Sequence, residues 1–336
     1  MRQQVLPGNS DSTGSSAKRF IAELEVGERV DSIFLLGRCN LRTRQNGEPY
    51  LAIELSDKSG RVSGRQWDNA EETIRRVNEG DFVRVVGVVE TWQSQAQIKV
   101  DSMAPTEAAG IDPADYLPAS QRDVEEMYAE LLGAIGRVRN RHLQALLRAT
   151  FEDAGIAALF RRAPGGVRLH HAYVGGLLEH TLSVIGLAER AAEHYAIVDR
   201  DLLVTGACLH DLGKIWELAY EHAFDYTEEG RLVGHIVMEA NWLARRMDEI
   251  EGFPPRLRHH VLHLLASHHG LHEHGAPVQP ATREALVLHY IDDLDSKMGA
   301  VANAIAEAET MGADTAYSRS LGRKIMRRRW DDEVDE

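Results

Sequence analysis

The chain has 336 residues, 43% of them apolar, and that length favours about two domains, each able to bury its own core. Its formal net charge of −14 excludes a polyanion binder that acts through its overall field, so nucleic-acid contact would have to come from local basic patches. The two cysteines, Cys39 and Cys208, form no C-x-x-C pair, which argues against a disulfide framework or thiolate zinc and suits a reducing cytoplasm.

Residues 1–19 are polar and Ser/Gly-rich, contain no signal-peptide-like apolar run, and are expected to form a disordered tail. No later stretch approaches the ~20 continuous apolar residues of a membrane span, so a cytoplasmic protein is expected. Residues 20–103 read as short strands with β-branched enrichment: Val30–Arg42, Tyr50–Leu55, Arg61–Trp67, Phe82–Glu90 and Trp92–Val100. Asn46-Gly47, Ser59-Gly60 and Glu79-Gly80 supply turns, and a short helix is expected over Asn69–Val77. Five strands with a helix after the third is the element order of an OB-fold barrel.

Residues 104–118 carry Pro105, Pro113 and Pro118 and read as a linker. Over 119–325 the apolar period becomes helical, with Ser120 the expected first N-cap. Later helices are expected around Gly176–Tyr195, Asp201–Leu212, Val233–Ile250, Pro255–Ser267 and Thr282–Glu309, and 326–336 is a charged tail. The fold class is therefore multidomain α and β, an OB-fold β-barrel followed by an all-α helical bundle.

Histidine is distributed unevenly. All 16 lie at or after His142, and 15 fall between His170 and His289, so the helical part has an imidazole-dependent task. Within it His180, His210-Asp211, His235, His268-His269 and Asp292 recur about one helix and one connection apart, a spacing that antiparallel helices can bring to one level of a bundle. Mixed imidazole and carboxylate donors suit Mn, Fe, Co, Ni or Zn, and the Asp211 carboxylate could bridge two such ions. Burying this set without a cation would leave several polar groups unsatisfied at about 1–3 kcal/mol each. Lys214 is a candidate to hold phosphate or orient a ligand carboxylate, with a helix C-terminal cation as the rival role. His171, about two and a half helical turns before His180, is a candidate to face substrate. Asp293 and Asp295 are expected to be solvated or cap-like neighbours of Asp292. In the barrel, Arg42, Arg44, Arg61, Arg65, Trp67, Trp92 and Lys99 are candidates for a strand-binding face that combines stacking with phosphate contacts, the plainer alternative being that Trp67 or Trp92 is core.

The ordered set His180 … His210-Asp211 … Asp292, with HDLGK after an apolar helix, resembles the H…HD…D pattern of HD-domain phosphohydrolases, which are helical bundles around one or two divalent metals. His235, His268 and His269 are similar in position to the further histidines of binuclear members, which implies a second ion; which of His268 and His269 faces inward stays open. With the barrel included, HHAYVGGLLEHTLSV, HDLGK, GHIVMEA, SHHG and EALVLHYIDDLDSKM resemble the YhaM-type 3′→5′ exoribonucleases from about residue 20 to 310. Pro164-Gly165-Gly166 departs from the alanines expected there. The resemblance implies a 3′→5′ exonuclease acting on single-stranded RNA, with single-stranded DNA as a further substrate, and two ions per chain, Mn foremost. Asp211, Lys214 and His171 are its expected catalytic residues. Two other readings stay open: an HD nucleotide phosphohydrolase or cyclic-nucleotide phosphodiesterase with a regulatory barrel, and a non-catalytic nucleic-acid-binding protein with a structural metal. Oligomeric state, a homo-oligomer included, also stays open.

Overall fold

The computed structural model describes residues 18–44, 46–92, 95–106, 111, 115–117, 119–167, 173–220, 225–310, 314–318 and 321–327. Most of both expected tails, and His171, lie outside the described residues. The chain divides into two units, residues 1–117 and 118–336.

In the first unit β1 (Arg29–Thr43), β2 (Pro49–Asp57), β3 (Gly60–Gln66), β4 (Phe82–Trp92) and β5 (Gln95–Pro105) close into a barrel in the order β1-β2-β3-β5-β4. The β3–β5 pair is parallel and the others are antiparallel. Closure leaves no sheet edge to template association. The period-2 pattern sends Val62, Gly64 and Gln66 inward and Arg61, Ser63 and Arg65 outward. Phe34, Leu36, Leu51, Leu55, Val85 and Ile98 fill the interior, and α1 (Ala70–Ile74) follows the third strand.

Two expectations need correction here. Trp92 ends β4 opposite Gln95 instead of opening the fifth strand, and β5 runs on to Pro105 because Met103 continues the buried face. The far end of the expected linker is also part of the barrel unit. Lys58 reaches the Asp115 carboxylate at 2.7 Å, Tyr116 packs edge-on to Phe82 at 5.0 Å, and Leu117 is buried.

The second unit contains α2 (Val124–Gly136), α3 (Arg141–Phe151), α4 (Ala154–Arg162), α5 (Gly176–His194), α6 (Arg200–Leu209), α7 (Lys214–Glu217), α8 (Glu228–Val233), α9 (His235–Asp248), α10 (Pro255–Ser267) and α11 (Arg283–Thr310). One small antiparallel pair, β6–β7 (Leu218–Ala219, Asp225–Tyr226), interrupts the helices, and a second, β8–β9 (Thr315–Ser318, Arg323–Met326), follows the last of them. Asp123, Asn140, Asp153 and Asp199 cap α2, α3, α4 and α6 through side-chain oxygens that accept first-turn N–H groups, each worth about 1 kcal/mol. Ser120 is not the first cap: its hydroxyl donates to Glu179 at 2.6 Å, and Asp123 caps instead.

One close approach positions the site. A methyl group on Gly206 of α6 would lie 2.9 Å from Leu264 of α10 and 3.0 Å from Leu288 of α11. Glycine there lets α6 nest against the two helices that lead to His268 and Asp292. Among the described residues no helix is long and apolar enough to cross a membrane.

Candidate functional site

Five helices deliver one donor cluster. His180 lies on α5, His210 ends α6 with Asp211 in the turn beyond, His235 opens α9, His268 ends α10 with His269 next, and Asp292 lies on α11. The donors form two groups, His180–His210–Asp292 and Asp211–His235–His268–His269, each with its ligand atoms within 4.8 Å of one another. In the first group Nε2 of His180 is 3.1 Å from Nε2 of His210 and 3.2 Å from Oδ1 of Asp292.

Asp211 faces both groups. Its Oδ2 lies 3.6 Å from His180 and 3.5 Å from His210, while its Oδ1 lies 3.6 Å from His235 and 3.7 Å from His268. The side chains of His180, His210, His268 and Asp211 are almost wholly buried.

The imidazoles are held from behind. Nδ1 of His180 is bonded to Asp295 at 2.7 Å, that of His210 to the Ala207 carbonyl at 3.0 Å, that of His235 to Glu217 at 3.0 Å, and that of His268 to the Leu265 carbonyl at 2.7 Å. Each bond places a ring proton on Nδ1 and turns Nε2 into the cluster, the orientation that metal-ligating histidines require. Asp211 Oδ1, His235 Nε2 and His268 Nε2 are buried with no hydrogen-bond partner. Orphaned acceptor atoms of this kind are costly unless a cation satisfies them, so the residues present fit a divalent metal.

The electrostatics agree with that fit. Burial opposes the Asp211 carboxylate, yet the Lys214 ammonium and the surrounding imidazoles hold it well below the usual range. Burial likewise opposes charge on His180, but hydrogen bonds to Asp292 and Asp295 raise it to about 9, so a cation at its Nε2 would have to displace a proton. Burial with His269 alongside pushes His268 well down, and burial with His235 alongside pushes His269 to about 4, so both stay neutral and available as donors.

Lys214 lies in the four-residue α7, and its ammonium binds Asp211 Oδ2 at 2.6 Å and the Gly165 carbonyl at 2.9 Å. The Pro164-Gly165-Gly166 segment thus provides, through its backbone, the carbonyl that seats this lysine. Both His268 and His269 offer a ring nitrogen to the Asp211 group.

Asp293 pairs with Lys297 at the surface at 2.6 Å, in keeping with expectation. Asp295 does not: only 12% of its side chain is exposed, and it holds His180 and accepts from the Ser183 hydroxyl. Glu217, and Glu239, which accepts the Gly213 N–H at 3.1 Å, escaped the sequence reading too. For Asp295 and Glu239 the only sequence signal is spacing, since Asp295 follows Asp292 by three residues and Glu239 follows His235 by four, each pair on one helix face; Glu217, 18 residues from His235, has none.

On the barrel, the Arg44 guanidinium lies 4.4 Å from the Trp67 ring, Tyr50 is 4.9 Å from Trp67, and Arg65 stands between Trp67 at 5.8 Å and Trp92 at 4.5 Å. Neither indole is core: Trp67 is half-buried, and Trp92 is 47% exposed. Lys99 is opposite Arg65 in register and Arg42 is opposite Tyr50, both exposed. Arg61 stands apart at the start of β3 against Glu54. Tyr50 is the aromatic that the sequence reading omitted.

Comparison with known proteins places this architecture. The family profile of the HD domain matches residues 177–297, and that of the OB-fold nucleic acid binding domain matches 35–106. The chain is 34% identical over 275 residues to the 3′-5′ exoribonuclease YhaM of Bacillus velezensis, covering 82% of this chain and 87% of that one. The chain belongs to the YhaM family. Among solved structures it is similar to the second OB-fold domain of replication protein A from Methanococcus maripaludis, at 22% identity and TM-score 0.23 over 27% of this chain and 95% of that one. A replication protein A heterotrimer bound to ssDNA is matched at 22% identity and TM-score 0.21, over 27% of this chain and 66% of that one. This chain joins an OB-fold barrel to an HD bundle.

Proposed function

We propose that this chain is a cytoplasmic, metal-dependent 3′→5′ exonuclease that hydrolyses the phosphodiester bonds of single-stranded RNA, with single-stranded DNA as a secondary substrate. The observation that carries the hydrolytic reading is Asp211, a buried carboxylate with one oxygen toward each of two histidine-rich donor groups. Kinship with YhaM supports RNA as substrate and the 3′→5′ direction.

His180, His210 and Asp292 with Asp211 Oδ2 would hold one ion, and His235, His268 and His269 with Asp211 Oδ1 a second. Manganese is the expected metal, with cobalt, iron, nickel or zinc as alternatives for the same donors. Two such ions, when bound, lower the pKa of a water toward neutrality and stabilise charge on a phosphoryl oxygen.

The remaining work falls to side chains. Lys214 keeps Asp211 ionised and anchors it to the 165 carbonyl, while Asp295 and Glu217 fix the tautomers of His180 and His235. His171 is assigned to substrate contact. On the barrel, Trp67, Trp92 and Tyr50 stack bases, Arg44 and Arg65 add cation–π and phosphate contacts, and Arg42, Arg61 and Lys99 meet phosphates.

The test compares a labelled oligoribonucleotide with nucleoside triphosphates and cyclic nucleotides, before and after chelation. RNA shortening that chelation abolishes and Mn restores is the expected result. Hydrolysis of the small nucleotides with RNA left intact would replace this reading with a nucleotide phosphohydrolase.

A further inference from the structure

α11 turns three polar residues toward the donor cluster, His289, Asp292 and Asp295, spaced by three residues and therefore close to one side of the helix. Asp292 belongs to the first donor group and Asp295 backs His180. His289 belongs to neither group, and the proposed mechanism gives it no role. Its Nδ1 lies 2.9 Å from the His268 carbonyl; a carbonyl only accepts, so Nδ1 donates.

That carbonyl stands at the end of α10, where the last C=O groups lack partners within the helix. The turn that follows is shaped around the imidazole. Gly270 has φ +77°, and a methyl group on it would meet Cε1 and Nε2 of His289 at 2.2 and 2.3 Å. Only glycine satisfies both the backbone conformation and the close approach of the ring. His268 and His269 sit between the last turn of α10 and this glycine, so they leave the helix just where they must aim at Asp211.

We propose that His289 is the positioning residue of the second donor group. By holding the His268 carbonyl over the Gly270 turn, it fixes the direction in which His268 and His269 present their ring nitrogens to Asp211. Glu217 does this for His235 and Asp295 for His180, each through the ring itself; His289 does it through the backbone. Because His289 and Asp292 lie about one turn apart on α11, one helix aligns both groups. The inference rests on the two-group reading of the centre.

The test is Mn²⁺ titration of the full-length protein by calorimetry, with metal analysis after dialysis, for wild type, His289→Leu and His289→Asn. The asparagine amide N–H can occupy the place of Nδ1–H and so serves as the conservative variant. Wild type is expected to bind two ions. His289→Leu keeps one at wild-type affinity and binds the other about 10–100-fold more weakly, the usual loss when an outer partner of a metal ligand is removed. His289→Asn recovers most of that loss, and the metal-free melting temperatures show whether each variant is folded. If wild type binds a single ion, the two-group reading and this role fall together. If wild type and His289→Leu both bind two ions with equal affinity, the positioning role alone is overturned. Equal weakening of both ions, or no recovery in His289→Asn, would show that His289 supports the fold and not the second group, and would also overturn it.

Discussion

Nδ1 of His180 donates to Oδ2 of Asp295 at 2.7 Å, a bond that joins α5 to α11 behind the donor cluster. The Ser183 hydroxyl holds the other oxygen of the same carboxylate. Asp295 therefore sets which nitrogen of His180 faces Asp292 and Asp211.

Asp295→Ala is expected to weaken metal binding about 10–100-fold while the protein stays folded, because it removes a ligand's outer partner and little core volume. Asp295→Asn retains an acceptor for Nδ1–H and should lose less. Chelator competition measures both, and wild-type affinity in the alanine variant would take Asp295 out of the site.

The two donor groups should be separable. His235→Ala and His268→Ala are expected to lower metal stoichiometry from two ions toward one, since His180, His210, Asp211 and Asp292 remain to hold an ion. Two ions at normal affinity in both variants would reduce the centre to a single-metal site.

On the barrel, Arg65→Ala combined with Trp67→Ala should raise the Michaelis constant for long single strands. Stacking is worth about 1–3 kcal/mol per base, roughly 5–150-fold. A dinucleotide or small phosphodiester should be affected far less. Parallel losses on long and short substrates, with circular dichroism unchanged, would argue against a strand-gripping face.

Lys18 offers a pH-dependent test of the barrel. Its ammonium lies 3.7 Å from the Tyr116 ring centroid and donates to the Ile33 carbonyl at 2.9 Å. Burial lowers its pKa from 10.5 to about 8, against the pull of Asp57 and Asp115 and with the push of Lys58. Between those two values the unfolded chain keeps a proton that the folded chain has released, so this group's contribution to stability rises with pH across the window. The urea midpoint of wild type relative to Lys18→Met is therefore expected to rise from about pH 8 to about pH 10. A difference that stays flat or falls would mean that the ammonium is not desolvated in the folded barrel.

The sequence was most legible where chemistry contradicted its surroundings. His180 and His210 sit in apolar helices, and Asp292 follows an apolar run, so each stands out as a polar residue in need of a reason. The barrel strands are legible from alternation, although no Gly, Asn or Pro near Trp92 marks the end of the fourth strand, so alternation alone places Trp92 on the wrong strand. Ser120 and Asp123 are both good caps, and only the backbone geometry decides for Asp123. Asp295 and Glu217 were hidden for a different reason. A carboxylate that holds a ligand imidazole from behind looks in sequence like any surface acid, and Asp293, two residues from Asp295, is one. His289 was obscured by the many other histidines nearby, and its task depends on a backbone carbonyl and a glycine turn that only the fold brings to it.

The most direct test of a metal-dependent 3′→5′ exonuclease centred on Asp211 is product analysis on single-stranded RNA labelled at its 5′ end, with Mn²⁺, for wild type and Asp211→Ala. The account predicts a ladder of progressively shorter labelled strands from wild type. It predicts intact RNA from a folded Asp211→Ala protein, which lacks the carboxylate shared by both donor groups. Immediate release of a labelled mononucleotide, or an equal ladder from both proteins, would contradict it.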